Sequence, residues 1–363
     1  MFPTTDQNYM IRISIFLIAI LSACSKNEHL TDPPSNVEPL PAIKIQNNKF
    51  INESGEELIL WGFNYDRSTE TLMEDHWDED DFWNNFKDDF YEMKAFGANV
   101  VRLHLQYNKY MDSPTAPNAS AFDNLLMMVK IAEDSGLYLD LTGLGSYRKS
   151  DAPQWYNDLD EAERWNAQAV FWEEVAKTVN GSQSVLVYDL MNEPTVPSKP
   201  EMDWLFGDGF GGFFFVQRLT LDPGNRSQAE IWEAWIARMT TAIRKHDTQT
   251  LITVGFLPFP NIDNFAPHLD YINTHVYPRS DDIEKSNELI KNIQNDKPIV
   301  VEEISNLYAN SEEIESFINE NKDQVQGWMG FYRGKDFDEL GDSIQDKLQR
   351  NWLEMFVRTN PNN

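Results

Sequence analysis

Eight short apolar runs alternate with longer amphipathic segments along most of this 363-residue sequence. The runs are rich in β-branched and aromatic residues and span 58–63, 98–105, 137–142, 185–192, 251–256, 271–276, 299–304 and 325–331. The amphipathic segments span 80–96, 121–134, 161–178, 228–245, 283–294, 311–321 and 343–356, with a shorter one at 264–269. Strands that alternate with helices predict parallel βαβ units. Eight such units with almost wholly apolar strands predict a closed (β/α)8 TIM barrel.

The remaining segments divide the chain into three parts. Residues 43–57 predict a small hairpin that caps the bottom of the barrel, so we expect residues 43–363 to form a single domain. Residues 25–42 are polar and rich in proline, which is typical of a flexible tether. We expect residues 1–24 to be a lipoprotein signal peptide, whose cleavage leaves Cys24 as the N-terminus of the mature protein.

The signal prediction rests on the single cysteine of the chain. Residues 10–24 contain Arg12, an apolar run and then Leu21-Ser22-Ala23-Cys24. This order resembles a bacterial lipoprotein signal, in which the cysteine is acylated, and the run is shorter than the roughly 20 residues that span a membrane. We therefore expect Cys24 to be lipidated and the protein to be exported through the inner membrane. It would then be anchored at the outer membrane, on the periplasmic or the cell-surface side. An ordinary cleaved signal with an incidental cysteine is the alternative.

The formal net charge of −29 limits the classes of partner. An acidic surface repels phosphates, so we expect no nucleic-acid partner. It also disfavours adsorption to anionic membranes, so membrane contact is expected through the lipid anchor alone. We expect the protein to be a monomer.

Two glutamates follow apolar strands at the predicted mouth of the barrel, where active sites of this architecture lie. Run four ends in Asn192-Glu193-Pro194, and run seven contains Glu302-Glu303 followed by Ile304-Ser305. Carboxylates on strands four and seven would face each other across the mouth. A retaining glycosidase needs such a pair, with carboxyl groups about 5–5.5 Å apart.

The two motifs together resemble those of glycoside hydrolase family five, within clan A, and the resemblance covers about residues 50–357. It implies that the chain cleaves β-linked polysaccharide or oligosaccharide without a cofactor or metal. It also implies that Glu193 is the acid/base, that Glu303 is the nucleophile and that Asn192 contacts the 2-hydroxyl of the sugar. Glu302 is the rival nucleophile. Neighbouring strand residues point to opposite faces, so we expect Glu303 to face the mouth and Glu302 to pair with a base behind the strand.

Further residues at strand ends match the family. Arg102 stands where the family has an arginine that supports the nucleophile, and His104 shares its strand face. His275 and Tyr277 match a His-x-Tyr pattern in which the tyrosine hydrogen-bonds the nucleophile and the histidine lies near the acid/base or the sugar. His104 and His275 with carboxylates could instead bind zinc, but no closely spaced histidine motif supports a metal site.

The ends of runs one and eight and the loop after run four predict sugar contacts. Asn64 and Tyr65 follow run one and could reach the substrate or pack within a loop. The family has a tryptophan platform on strand eight, whereas here Trp328 comes early and Phe331 or Tyr332 takes the usual place. We expect Trp328 to bind or support the substrate, and the aromatic residue that forms the platform stays open among these three. The loop at 195–226 is long and aromatic, and we expect it to wall one side of the cleft; a local hydrophobic core beneath it is the alternative.

Three functions fit these residues. The first is a retaining glycosidase acting on cellulose, mannan, xylan or an algal glycan. The second is a non-catalytic glycan-binding lipoprotein on the same barrel, and the third is a transglycosylase in which a sugar replaces water. Four cations that follow strand ends hint at an anionic sugar or are ordinary surface bases: Arg148, Arg279, Arg333 and Lys335.

Overall fold

The computed structural model describes residues 39–67, 71–206, 212–259, 262–294, 296–331 and 333–362. Eight parallel strands hydrogen-bond in chain order and close on themselves, which confirms the predicted (β/α)8 barrel. Cys24, the signal peptide and most of the predicted tether lie outside the described residues.

The barrel strands coincide with the eight predicted runs to within three residues at each end. They are β1 (Leu60–Asn64), β2 (Val100–Gln106), β3 (Tyr138–Gly145), β4 (Val185–Asn192), β5 (Leu251–Phe256), β6 (Ile272–His275), β7 (Ile299–Ile304) and β8 (Gly327–Gly330). In the described ranges, seven longer helices follow strands of the barrel: α1 (Phe82–Ala95), α2 (Ala119–Ser135), α3 (Glu161–Val179), α4 (Gln228–Ile243), α5 (Ile283–Lys291), α6 (Ser311–Asn321) and α7 (Ile344–Thr359). A 3-10 helix at Ile262–His268 follows β5, where the sequence predicts its shortest segment. Within the described residues, no helix has the length and apolarity needed to cross a bilayer.

Smaller elements lie in the connections. Short helices occur at Tyr107–Tyr110 and Gln154–Asp158, and 3-10 turns at Met73–Asp75, Lys149–Asp151 and Phe337–Glu339. Short strands pair at Met111–Ser113 with Ala116–Pro117, and a three-stranded sheet forms from Pro194–Thr195, Leu205–Phe206 and Val216–Arg218.

Local sequence determines where several helices begin. Asp160 accepts a hydrogen bond from the Glu163 N–H (2.9 Å), and the Glu163 carboxylate accepts one from the Asp160 N–H (3.1 Å). Such a capping box satisfies N–H groups that have no partner inside the helix. Ser227 caps α4 and Asn310 caps α6 in the same way.

An N-terminal sheet closes the bottom of the barrel, in the position that the sequence predicts for a hairpin. Its strands are Ile43–Gln46, Lys49–Asn52 and Glu57–Leu58. Phe50 is fully buried and meets the ring of Tyr271 edge-on, with 5.4 Å between ring centroids. Phe50 thus belongs to an apolar layer with inward residues of the strands, including Leu60 and Val100.

Inward side chains change from apolar to charged along the strands. On β2, Val100 lies in the bottom apolar layer, Arg102 lies one step above it and His104 borders the mouth. On β3, Tyr138 is followed in the same way by Asp140. Because every second residue of a strand faces inward, the barrel interior is built in layers, with charged groups between the apolar plug and the mouth.

Candidate active site

A cavity of about 350 Å³ opens at the carboxyl ends of the strands. Both sequence-predicted glutamates border it, Glu193 after β4 and Glu303 on β7. Asn64, His104 and Tyr277 line the same cavity. Residues from distant parts of the sequence therefore meet at the face of the barrel where the strand pattern predicts the site.

The two glutamates lie close together and are largely buried. Glu193 is 9% and Glu303 5% exposed. One oxygen of each carboxylate and a ring nitrogen of His275 all lie within 4.8 Å of one another. The Nδ1 atom of His275 lies 2.9 Å from Glu193 Oε1 and 3.4 Å from Glu303 Oε2, so the imidazole touches both acids. Burial would lower the pKa of His275, but the charges of Glu303 and Glu193 outweigh burial and raise it.

The backbone at Glu193 has a left-handed conformation, with φ of 45°. For a residue with a side chain this costs about 1 kcal/mol or more. The Glu193 N–H donates to the carbonyl oxygen of Gly255 on β5 (2.8 Å), which helps to hold the turn. A Cβ at position 255 would lie 2.9 Å from Arg102 Nη2 and 3.0 Å from His275 Nε2. Gly255 therefore leaves room for both side chains beneath the glutamate pair.

Glu303 is held as an anion by its neighbours. Arg102 Nη1 donates to its Oε1 (2.6 Å), and the Tyr277 hydroxyl donates to its Oε2 (2.5 Å). Burial would raise the pKa of Glu303, but the charges of His275 and Arg102 and the two hydrogen bonds outweigh burial and lower it. An ionised carboxylate of this kind can act as a nucleophile.

Arg102 connects the pair to the charged layer below. Its side chain is fully buried, and Nη1 also donates to Asn64 Oδ1 (2.9 Å). Nη2 donates to Asp189 Oδ2 (2.7 Å) and Asn192 Oδ1 (2.9 Å). Asn192 does not border the cavity in the described residues; its amide donates to the Phe215 carbonyl (3.1 Å) and so fixes the loop after β4.

Glu302 corrects one prediction from strand alternation. It lies inside the barrel rather than behind the strand, with Oε2 3.2 Å from Arg102 Nε. Tyr271 donates to Glu302 Oε1 (2.7 Å), and Asn273 donates to Oε2. The register of β7 shifts against both β6 and β8 near this point, so adjacent glutamates both reach the interior, at different depths.

Three acids surround Arg102 below the cavity: Asp140, Asp189 and Glu302, with ligand-type oxygens within 4.8 Å of one another. The guanidinium already supplies the positive charge that such a group would otherwise take from a metal ion. Burial, and then the charge of Glu302, raise the pKa of Asp140 well above its usual value. Burial likewise raises the pKa of Glu302. Asp140 therefore keeps its proton to a higher pH than an exposed aspartate does.

His104 faces the cavity as a neutral imidazole. Its Nε2 lies 3.0 Å from Asn64 Oδ1, and its Nδ1 lies 2.5 Å from the Tyr147 hydroxyl. Burial, and then the charges of Arg102 and His275, lower the pKa of His104 well below its usual value. Tyr65 also borders the cavity, while its hydroxyl donates to Asp89 (2.6 Å).

Trp328 does not reach the cavity, contrary to the prediction that it contacts substrate. It is 1% exposed and packs edge-on against Phe317 of α6, with 5.8 Å between ring centroids. The cause is strand alternation, since Trp328 pairs with Trp61 of β1, which stacks on Phe356 of α7. The ring that lines the cavity from this strand end is Phe331, while Tyr332 lies outside the described residues.

The loop after β4 forms part of the cavity wall. Phe213 and Phe215 border the cavity, and Phe215 packs on Tyr147 with 4.9 Å between ring centroids. Trp204 of the same loop is buried in the main core. The loop thus walls the cleft and contributes to a core beneath it. Its residues 207–211 lie outside the described part of the chain.

Sequence reasoning missed several residues that shape the site. Asp189 accepts from Arg102, from Thr142 (2.9 Å) and from the Gly255 N–H (2.7 Å). An aspartate inside the otherwise apolar run of β4 is a signal that could have identified it. Tyr147 and Glu74, which border the cavity from loops, carry no comparable signal.

A family model described as Cellulase (glycosyl hydrolase family 5) matches residues 52–341. No curated protein sequence matches the chain. Three solved structures that resemble it are an exo-β-1,4-mannosidase from Opitutaceae bacterium strain TAV5, an endo-1,4-β-mannanase from Eisenia fetida and a β-glucanase from Saccharophagus degradans.

These structures show the fold. Their TM-scores are 0.63, 0.59 and 0.59, and their sequence identities to this chain are 16%, 14% and 16%. The matches cover 87%, 86% and 91% of this chain. They cover 61% of the mannosidase, 95% of the mannanase and 98% of the glucanase, so the chain spans under two thirds of the mannosidase.

We expect Asp140→Asn to reduce the loss of stability at high pH. The folded state keeps a proton at Asp140 that the unfolded chain releases above about pH 4. The stability contributed by this group is complete below that pH and is lost as the pH rises toward the raised folded-state pKa. Urea unfolding at about pH 5 and pH 8 should therefore show a smaller decrease in unfolding free energy for the variant than for the wild type.

Asp189→Asn is the comparison for Asp140→Asn. It deprives Arg102, Thr142 and the Gly255 N–H of a shared carboxylate, so it should lower the unfolding free energy by about 3 kcal/mol or more at both pH values. Equal pH dependence in Asp140→Asn and the wild type would show that Asp140 is not protonated in the folded state.

Proposed function

We propose a retaining, double-displacement mechanism for this chain, which belongs to glycosyl hydrolase family 5 and is a glycosidase. In this proposal Glu303 is the nucleophile and Glu193 is the acid/base. The observation that carries the proposal is that one oxygen of the Glu193 carboxylate and one oxygen of the Glu303 carboxylate lie within 4.8 Å of each other. Retaining enzymes have carboxyl groups about 5–5.5 Å apart, whereas inverting enzymes leave roughly 6.5–9.5 Å for a water molecule.

In the first step the Glu303 carboxylate attacks the anomeric carbon while Glu193 donates its proton to the departing glycosidic oxygen. The carbon–oxygen bond to the leaving group breaks, and a glycosyl ester forms on Glu303. Arg102 and Tyr277 orient the carboxylate and keep it ionised. In the second step Glu193 accepts a proton from water, the hydroxyl oxygen attacks the anomeric carbon and Glu303 is released as the carboxylate.

We assign supporting roles to the remaining residues of the site. His275 contacts both Glu193 and Glu303, so its imidazole offers a short route for a proton between the two carboxyl groups as their charges change from the first step to the second. Asn64 and His104 border the cavity from β1 and β2 and offer polar groups to sugar hydroxyls. Asn192 lies beside Arg102 and supports the site from behind.

The substrate that fits the described lining is a neutral β-linked glycan. No lysine or arginine borders the cavity among the described residues. The four cations that hinted at an anionic sugar pair with acids: Arg148 with Asp75, Arg279 with Asp281, Arg333 with Asp89 and Lys335 with Asp346. Several rings border the cavity, and flat rings can pack against the faces of sugars.

Substitution of the two glutamates should separate their roles. Glu193→Gln should slow hydrolysis of natural glycosides by about 10²–10⁴-fold, because proton donation to the leaving oxygen is lost. For aryl glycosides with acidic leaving groups, the same substitution should slow the first step much less. A 2-deoxy-2-fluoro glycoside with a good leaving group should label Glu303 in the wild type, as located by peptide mass spectrometry.

Glu303→Gln is the matched variant, and it should abolish both turnover and labelling. Thermal unfolding would verify that both variants remain folded. Full turnover by folded Glu193→Gln, or a label on a residue other than Glu303, would contradict the assignment.

Tyr277→Phe should shift the acidic limb of the kcat/KM profile to higher pH. The hydroxyl helps to lower the pKa of Glu303, so its removal raises that pKa and protonates the nucleophile at a higher pH. The shift should be at most about one unit. Tyr271→Phe removes a corresponding hydroxyl from Glu302 instead and should leave the limb in place. Equal profiles for Tyr277→Phe and the wild type would exclude the proposed role.

We also propose that the protein is a lipid-anchored monomer, with Cys24 as the acylated residue and residues 25–42 as the tether. Cys24→Ser should abolish metabolic labelling with radioactive palmitate and move the protein from the membrane fraction to the soluble fraction. Retention of the label in the variant would contradict lipidation at Cys24. If the wild-type protein lacks the apolar signal segment but takes up no palmitate, an ordinary cleaved signal would be favoured.

A further inference from the structure

A third glutamate borders the cavity that contains Glu193 and Glu303. Glu74 lies in the 3-10 turn Met73–Asp75 of the connection between β1 and α1 and is 4% exposed. The mechanism proposed above gives it no role. A buried carboxylate that faces a substrate cavity is costly unless hydrogen-bond donors satisfy it, so its presence at this position requires an explanation.

The partners of Glu74 are backbone groups. The Gln106 N–H at the end of β2 donates to its Oε1 (2.8 Å). Among the described residues, no lysine or arginine forms an ion pair with it; the nearby cations Arg148 and Lys109 pair with Asp75 instead, at 2.6 Å and 3.5 Å. Burial raises the pKa of Glu74 to about 7, against the lowering effect of the backbone hydrogen bonds. The Glu74 carboxylate can thus accept further hydrogen bonds, while its burial leaves few water molecules to donate them.

The position of Glu74 places it beyond the reacting centre. Arg102 contacts Glu303, and Gln106, four residues further along β2, contacts Glu74. Gln106 is the last residue of β2, and the register of β2 against β3 shifts between His104 and Gln106, so Glu74 meets this strand at its end, above the level of Arg102. Glu74 therefore borders the outer part of the cavity, where a glycan would extend from the sugar that occupies the catalytic centre.

We propose that Glu74 is a substrate-binding residue whose carboxylate accepts hydrogen bonds from hydroxyls of a neutral sugar unit adjacent to the one attacked by Glu303. The inference rests on the proposed function. Two adjacent hydroxyls of a pyranose suit the two oxygens of a carboxylate. Hydrogen bonds to a charged acceptor are stronger than those between neutral groups. Glu74 would thus favour oligosaccharides over substrates that contain a single sugar.

The test is the ratio of kcat/KM for two substrates. One is the β-linked oligosaccharide of four or more units that the wild type hydrolyses fastest, chosen from gluco-, manno- and xylo-series, and the other is an aryl monoglycoside of the same sugar. In Glu74→Gln the amide oxygen can still accept from the Gln106 N–H, so the turn is retained while the charge is lost. The ratio should fall about tenfold or more, mainly through KM.

Asp75→Asn is the matched control, because Asp75 belongs to the same turn but does not border the cavity. It weakens the pairs with Arg148 and should lower the melting temperature while leaving the ratio unchanged. A purely structural role for Glu74 predicts the same behaviour in Glu74→Gln, that is, a lower melting temperature and an unchanged ratio, and this result would overturn the proposal.

Binding without turnover supplies a second readout. Calorimetry with the same oligosaccharide should give a Kd about tenfold or more weaker for Glu193→Gln/Glu74→Gln than for Glu193→Gln alone. Equal Kd values would overturn the proposal. Hydrolysis of the monoglycoside without hydrolysis or binding of any oligosaccharide would overturn it and leave the mechanism intact. If the wild type hydrolyses neither the oligosaccharide nor the monoglycoside, that result would instead refute the proposed function.

Discussion

The buried guanidinium of Arg102 is the interaction on which the rest of the site depends. It is fully excluded from solvent and contacts Asn64, Asp189, Asn192, Glu302 and Glu303. A buried cation of this kind is stable only when acceptors surround it, and the removal of one partner from such a network commonly costs several kcal/mol. The acceptors come from β1, β4 and β7, so one side chain fixes the relative positions of strands that are far apart in sequence. The orientation of the nucleophile follows from that arrangement.

The charged layer also determines how protons are distributed beneath the mouth. Four carboxylates lie within reach of Arg102, and they cannot all be ionised around a single positive charge. Burial and mutual repulsion raise the pKa of Asp140 and Glu302, whereas Glu303, with Tyr277 and His275 as additional partners, has a lowered pKa. The barrel thus separates acids of similar intrinsic strength by depth, with the raised pKa values of Asp140 and Glu302 below and the lowered pKa of Glu303 at the cavity.

Much of the fold and part of the site could be predicted from the sequence because they depend on local pattern. Almost wholly apolar runs indicate the strands, and the ends of those runs place Glu193 and Glu303 at one face, with Arg102 in contact with Glu303. The errors have tertiary causes. A register shift in β7, which no residue pattern reveals, turned Glu302 inward. The residue type of Trp328 predicts contact with the substrate, but its position in the alternation of β8 turns the side chain outward, against α6. Tyr147 and Glu74 reach the cavity through loops whose course depends on contacts across the barrel.

The sheet that plugs the bottom of the barrel also determines the pole at which the described part of the chain begins. Tyr138, in the lowest inward layer, donates a hydrogen bond to the Pro41 carbonyl (2.6 Å), so the chain enters the domain at the pole opposite the cavity. A long glycan lying across the cleft would therefore stay clear of residues 39–41, where the described part of the chain begins.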